Sequence, residues 1–134
     1  MLKSGFDSIG PALFVAASIG ALLPNMATAC VPRLVMPAEL AIITLVPDGD
    51  GRVSSEINFA WRGCAEATRY HLYAIGMNAF NPIINERELT SATYRYRGTF
   101  HPGGETNWLW KVRAYADGEW GEWSSIRVWQ QFSE

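Results

Sequence analysis

The feature that most constrains the fold is the alternation of side chains in NWLWKVRAYA, residues 107–116. One face of this segment carries only apolar residues, namely Trp108, Trp110, Val112 and Ala114. The opposite face carries Leu109, Lys111, Arg113 and Tyr115. A period of two residues is typical of a β-strand that buries one face. The pattern therefore predicts a strand whose core face is largely aromatic.

Six further segments are predicted to be short strands because they alternate or are β-branched and lie between turn-forming residues. They occupy residues 40–46, 57–61, 70–74, 83–84, 92–100 and 125–132. In the last of them Ile126 and Val128 share one face, whereas Trp129 and Phe132 continue a single face only across a bulge. Seven short strands with almost no helical periodicity predict an all-β, two-sheet sandwich.

The first 29 residues differ in composition from the rest of the chain. Lys3 precedes an apolar run at residues 13–23, and Ala27 and Ala29 form an A-x-A cleavage pattern. The run is shorter than the roughly 20 residues that span a bilayer. Residues 1–29 are therefore predicted to be a signal peptide, and residues 30–134 an exported domain with an extended segment at 30–39. The expected location is periplasmic, at the cell surface or secreted; an uncleaved anchor is the alternative.

The formal net charge is -2, with a sequence pI of about 5.7. A chain with this balance lacks the basic surface that nucleic acids require, so no nucleic-acid partner is predicted.

Four phrases, in order, carry a family resemblance: LVPDGDG, FAW, EATRYHLYAI and WLWKVRAYADGEWGEWS. Over residues 40–132 the chain resembles a fibronectin type III domain of an exported bacterial protein. The resemblance implies an immunoglobulin-like sandwich of seven strands. Trp108 stands where the family commonly has a tyrosine, so an indole N–H replaces a hydroxyl there.

The two cysteines, Cys30 and Cys64, have three possible states. In an exported protein a pair is first interpreted as a disulfide, and the resemblance implies that the chain start and the loop holding Cys64 lie at the same end. Alternatively, the sequence ATAC at residues 27–30 resembles a lipoprotein signal, in which Cys30 is lipidated and attaches the chain to a membrane. The third state is two free thiols.

No enzymatic, metal or cofactor chemistry is predicted. The histidines, His71 and His101, are interpreted as single exposed residues without ligands at metal-site spacing. Asp48 and Asp50 offer too few side-chain oxygens for a calcium loop, so they are interpreted as a plain turn.

The aromatic residues outside the predicted core have two interpretations. Tyr73, Tyr115, Trp120 and Trp123, with Trp129 as a further candidate, are an exposed strip on which a ligand stacks. Alternatively, residues 120–124 resemble the W-S-x-W-S box of cytokine-receptor domains, with Gly121 in place of the first serine. In that structural interpretation Lys111 and Arg113 insert between the rings of Trp120 and Trp123 as a cation–π ladder.

We expect a non-catalytic binding or structural module of the cell envelope, whose partner is another protein. The alternative is a carbohydrate-binding module that uses exposed aromatic rings. The ladder interpretation moves the expected recognition surface to Tyr73, Tyr115 and the irregular segment 76–88.

Overall fold

The structure is a computed structural model that describes residues 30–133. The predicted signal peptide at residues 1–29 lies outside this range. Within the described residues every regular element is a strand, and no helix is present. The nine strands are β1 (Arg33–Met36), β2 (Ala41–Pro47), β3 (Val53–Arg62), β4 (Arg69–Gly76), β5 (Pro82–Leu89), β6 (Thr93–Phe100), β7 (Asn107–Ala116), β8 (Glu119–Trp120) and β9 (Arg127–Ser133).

All seven predicted segments contain a strand, and two short strands, β1 and β8, were not predicted. The predicted two-residue edge strand at 83–84 is an eight-residue strand, β5. The all-β class is therefore confirmed, whereas the count of strands in the described residues is nine rather than seven.

The strands form one continuous path of pairing in the order β1-β3-β2-β9-β7-β4-β5, with β6 on β3 and β8 on β7. Strand β2 joins two groups of strands. Its first part runs parallel to β9, from Ala41 opposite Trp129 to Leu45 opposite Ser133. Its end is antiparallel to β3, where Val46 lies opposite Ser54.

Aromatic rings pack the two groups of strands against each other. The Phe59 ring of β3 meets Trp110 of β7 at 5.0 Å and Trp129 of β9 at 5.6 Å between centroids. Trp61 of β3 likewise meets Tyr70 of β4 at 5.6 Å. Edge-to-face rings at these distances add stability beyond the burial of their surface. The inward aromatics predicted from the alternation are all buried, namely Phe59, Trp61, Tyr70, Trp108 and Trp110.

The face assignment in β9 was wrong. Trp129 is fully buried rather than a surface candidate, and the second inward residue of the strand is Gln131, which is 1% exposed. Trp129 Nε1 donates a hydrogen bond to Gln131 Oε1 at 3.1 Å, so the buried amide is partnered. Ile126 and Phe132 are exposed instead. A buried glutamine conceals the true alternation, because hydrophobicity marks the wrong residues as core.

Hydrogen bonds and a disulfide stabilise the two ends of the fold. Trp108 Nε1 donates to the Glu105 carbonyl at 3.3 Å, so the indole N–H has a backbone partner.

Cys30 and Cys64 are the only cysteines in the chain and both are disulfide-bonded. The Cys64 amide also donates to Tyr70 Oη at 3.2 Å. The disulfide uses the Cys30 thiol that lipidation would need.

Candidate functional site

The candidate site lies on the outward face of β7 and β4. Strand register places Tyr73 opposite Lys111 and His71 opposite Arg113, so two cations of β7 stand beside two rings of β4. This arrangement follows from the period of two, since the core face of the same strand takes up Trp110 and Val112.

A tight turn brings the tryptophans back over this face. Asp117 and Gly118 both have positive φ, of 53° and 82°, and they join β7 directly to β8. Two such residues form the type I′ turn that suits a two-residue hairpin. Trp120 therefore lies opposite Tyr115, and the chain returns along the edge of β7.

The returning segment stays attached to β7 beyond the hairpin. Gly121 N donates to the Ala114 carbonyl at 2.8 Å, and Ser124 N donates to the Val112 carbonyl at 2.8 Å. The buried Ser124 hydroxyl accepts from Val112 N at 3.1 Å. Gly121, which replaces the first serine of the box, thus contributes only a backbone hydrogen bond. Ser124, the second serine, contributes a side-chain hydrogen bond as well.

Cations and aromatic rings alternate across the face, and we call this set the clasp. The Arg113 guanidinium lies 4.7 Å from the Trp120 ring and 4.6 Å from the Trp123 ring, so it sits between the two tryptophans. Lys111 Nζ lies 4.3 Å from Trp123 on the other side. In spatial order the clasp is Tyr115, Arg69, Trp120, Arg113, Trp123, Lys111 and Tyr73.

Arg69 was not predicted to belong to this set. Its guanidinium lies 4.0 Å from the Tyr115 ring and 5.5 Å from the Trp120 ring. The sequence offered only an indirect signal, because Arg69 is on β4 and becomes a neighbour of Tyr115 through strand register.

His71 lies beneath the tryptophans and is buried, so the prediction of an exposed histidine was wrong. Its ring centroid is 4.8 Å from Trp123 and 5.7 Å from Trp120. Arg113 Nε donates to His71 Nδ1 at 3.1 Å, and His71 Nε2 lies 2.6 Å from Asn85 Oδ1. A ring nitrogen that accepts a hydrogen bond from a guanidinium carries no proton itself. These two bonds therefore require a neutral His71 ring with its proton on Nε2.

The electrostatic potential at the clasp is positive. Burial lowers the pKa of His71 most, the bond to Asn85 opposes this, and the charges of Arg113, Arg87 and Lys111 lower it further. Burial and the charge of Arg87 also lower the pKa of Arg113. Among the described residues no carboxylate lies within 4.0 Å of Lys111 or Arg113, whereas Arg69 meets the Glu88 carboxylate at 3.5 Å.

The four predicted binding aromatics all belong to the clasp rather than to a free strip. Each is only half-buried. The guanidinium of Arg113 lies between the two tryptophans, and Tyr115 and Tyr73 have Arg69 and Lys111 as neighbouring cations. Rings that have cations over them offer less flat area to a ligand.

The other half of the same face is apolar and partly exposed, a feature missed in the sequence. Register places Ile75 opposite Leu109 and Leu109 opposite Val128. Ile126 lines a groove with Ile75 and Leu109 and is 55% exposed. On the neighbouring strand β2, Ile42 lies opposite Gln130 and is 66% exposed. We call Ile42, Ile75, Leu109, Ile126 and Val128 the open patch. Its residues come from four segments far apart in the chain, so no local pattern reveals it.

A second exposed apolar feature is the turn between β4 and β5, within the predicted segment 76–88. Phe80 is 99% exposed. The turn is nevertheless fixed, since the Glu105 carboxylate accepts from the backbone amides of Asn78 at 2.8 Å and Asn107 at 3.3 Å. Met77 N donates to the Asn107 carbonyl at 2.9 Å. The turn thus presents a phenyl ring to solvent on an ordered backbone.

Residues 30–133 contain neither a metal-ligand cluster nor a membrane-spanning helix. In that range, no cluster of three or more metal-ligating side chains was found. The same residues include no helix with the length and hydropathy to cross a bilayer. Asp48 and Asp50 were interpreted as a plain turn, and the Asp48 carboxylate accepts from the Asp50 amide at 3.2 Å, as in an Asx turn.

Comparison with known proteins found similarity to solved structures. No family model and no curated protein matches the chain. The chain is similar to the crystal structure of a Fn3-like protein from Clostridium thermocellum, with 20% sequence identity and a TM-score of 0.46. The match covers 72% of this chain and 95% of the other chain.

Proposed function

We propose that this chain is an exported, non-catalytic module that binds another protein of the cell envelope through the outward face of β4, β7 and β9. In this proposal the nine strands form a two-layer sandwich of fibronectin type III topology. The two groups of strands that β2 joins, and the aromatic core between them, support that arrangement.

The open patch is the observation that carries the proposal. Contiguous apolar residues exposed beside polar and charged ones are characteristic of protein interaction sites. The hydrophobic core is already complete on the opposite face of the same strands, so burial of Ile42 or Ile126 is not needed for folding. Phe80, which is 99% exposed on the turn between β4 and β5, is an aromatic side chain of the kind that anchors protein interfaces.

Export is supported by the composition of residues 1–29 and by the disulfide, because disulfides persist mainly in oxidising compartments. The non-catalytic part of the proposal is supported by both histidines. His71 is buried with both ring nitrogens hydrogen-bonded, and His101 lies in an exposed turn.

A photo-crosslinking amino acid at Ile42 tests the proposal in the cells that make the protein. The matched control places it at Glu66, which is exposed in the loop between β3 and β4. We expect a protein captured at Ile42 and absent at Glu66; the purified partner should bind Ile42→Ser at least tenfold more weakly. Identical capture at both positions, or equal affinity for Ile42→Ser, would contradict the proposal.

A glycan array on the wild type and on Trp120→Ala tests the carbohydrate-binding alternative. We expect no glycan above background, because the tryptophan rings are interleaved with cations. Glycan binding that Trp120→Ala abolishes without unfolding would replace the proposed function with the alternative.

A further inference from the structure

At the border between the clasp and the open patch lies a small groove. It is lined by Tyr73, Ile75, Leu109, Trp110, Lys111 and Ile126, and its volume is about 90 Å³. The lining is almost entirely apolar, and Lys111 provides its one charged group. The groove therefore has room for an apolar group and one fixed positive charge beside it.

The size of the groove limits what it can take. An engineered apolar cavity of about 150 Å³ binds benzene, and this groove is smaller. A branched aliphatic side chain is compact, and it matches the aliphatic side chains of Ile75, Leu109 and Ile126 that line the groove.

The positive charge of Lys111 at the edge of the groove determines which polar group can lie next to the bound aliphatic side chain. Lys111 Nζ rests 4.3 Å from the Trp123 ring and has no carboxylate within 4.0 Å among residues 30–133. The charges of Arg113, Arg87 and Lys111 all act on His71, which lies opposite Arg113, so the potential on this part of the face is positive. The whole chain is nevertheless acidic, with a net charge of -2. A positive region on an acidic protein favours an anionic ligand at this location in particular.

The same charge disfavours a second copy of the chain on this face. A two-fold contact brings the same patch of each subunit together, so the cation-rich patch that holds Lys111 and Arg113 would face another cation-rich patch. Like charges brought together in this way oppose association.

We infer that the groove binds an extended segment of another protein in which a branched aliphatic residue neighbours an aspartate or glutamate. The aliphatic side chain occupies the groove between Ile75, Leu109 and Ile126, and the carboxylate pairs with Lys111. This inference rests on the proposed function and adds to it the chemistry of the partner.

Selection from a displayed library of random peptides, with the full disulfide-bonded chain as bait, tests the inference. We expect enriched peptides to place Asp or Glu within two residues of Leu, Ile or Val. The best peptide is then synthesised with its acid and with the matching amide, and the amide should bind at least tenfold more weakly. Enrichment without acidic residues, no enrichment at all, or equal binding of acid and amide would overturn the inference.

Substitutions in the chain test whether the peptide binds at Lys111. Lys111→Gln should weaken the acidic peptide about tenfold but leave the amide peptide within twofold of the wild type. The matched control is Arg95→Gln, an exposed arginine on β6 that pairs with Glu56 at 3.0 Å. It should bind both peptides like the wild type, and equal losses in the two variants would overturn the assignment.

Two further outcomes distinguish this inference from a lipid-binding surface and from the proposed function alone. Lys111-dependent binding to vesicles of phosphatidylglycerol and phosphatidylcholine, without peptide binding, would overturn it in favour of a lipid surface. A partner captured at Ile42 that carries no acidic-aliphatic segment would overturn the inference and leave the proposed function standing.

Discussion

The clasp and the open patch are two halves of one sheet face, and they differ in how they are covered. Both are built from alternate residues of β4 and β7, and the same core lies behind them. The clasp is covered because the Asp117–Gly118 turn sends Trp120 and Trp123 back over β7. The open patch has no such returning segment. We therefore expect the clasp to contribute to stability, and in the proposed function the open patch is the part of the face that contacts a partner.

The largest expected effect comes from removing the cover. Trp120→Ala with Trp123→Ala removes several cation–π contacts and exposes His71, and should cost about 3 kcal/mol or more of the free energy of unfolding. Urea denaturation measures the change. The conservative double variant Trp120→Phe with Trp123→Phe should lose less of the free energy of unfolding, because aromatic rings remain beside Arg113. An unchanged denaturation midpoint in the alanine pair would show that the clasp contributes nothing to stability.

A change of pH tests the clasp without mutation. The folded state lowers the pKa of His71, whereas the unfolded chain takes up a proton near pH 6.5. Below that pH the unfolded state binds more protons, so stability should fall between about pH 6.5 and the lowered folded pKa. The slope is at most about 1.4 kcal/mol per pH unit. Urea denaturation at pH 8, 7, 6 and 5 should show this decline in the wild type and a smaller one in His71→Gln.

Removing one hydroxyl should have a smaller effect on the clasp. Ser124→Ala leaves the buried Val112 amide without its 3.1 Å partner, and should cost about 1 to 2 kcal/mol. Thermal unfolding compares it with Ser125→Ala, whose side chain is exposed. Equal melting temperatures for the two variants would show that the Ser124 hydroxyl does not hold the returning segment.

The smallest expected change in stability belongs to the open patch. Ile42→Ser removes an exposed side chain from a complete fold and should change the free energy of unfolding by less than about 0.5 kcal/mol. Urea denaturation against the wild type provides the measurement. A loss comparable to that of the tryptophan pair would mean that the open patch is structural, which would contradict the contrast between the two halves.

Sequence reasoning predicted the elements with strong local patterns. The alternation in β7 placed Trp108 and Trp110 in the core, and the spacing of Lys111 and Arg113 suggested their alternation with the two tryptophans. Each of these depends on residues within about 15 positions of one another. Side-chain period and hairpin geometry decide such relations directly.

Relations between distant strands were not predictable in the same way. His71 on β4 is polar yet buried because Asn85 on β5 and Arg113 on β7 form hydrogen bonds with its ring. The open patch escaped notice because its residues look like ordinary strand hydrophobics. Only the register of β4, β7 and β9 shows that Ile75, Leu109 and Val128 lie side by side on one face.

The sequence by itself determined that this protein is built of strands and that β7 has a core face and a charged face. It also determined where the turns lie, since alternation and turn chemistry are local properties of the backbone. The tertiary structure alone decided which outward residues are covered. Coverage depends on which strands become neighbours, and that pairing joins residues as distant as Ile42 and Gln130.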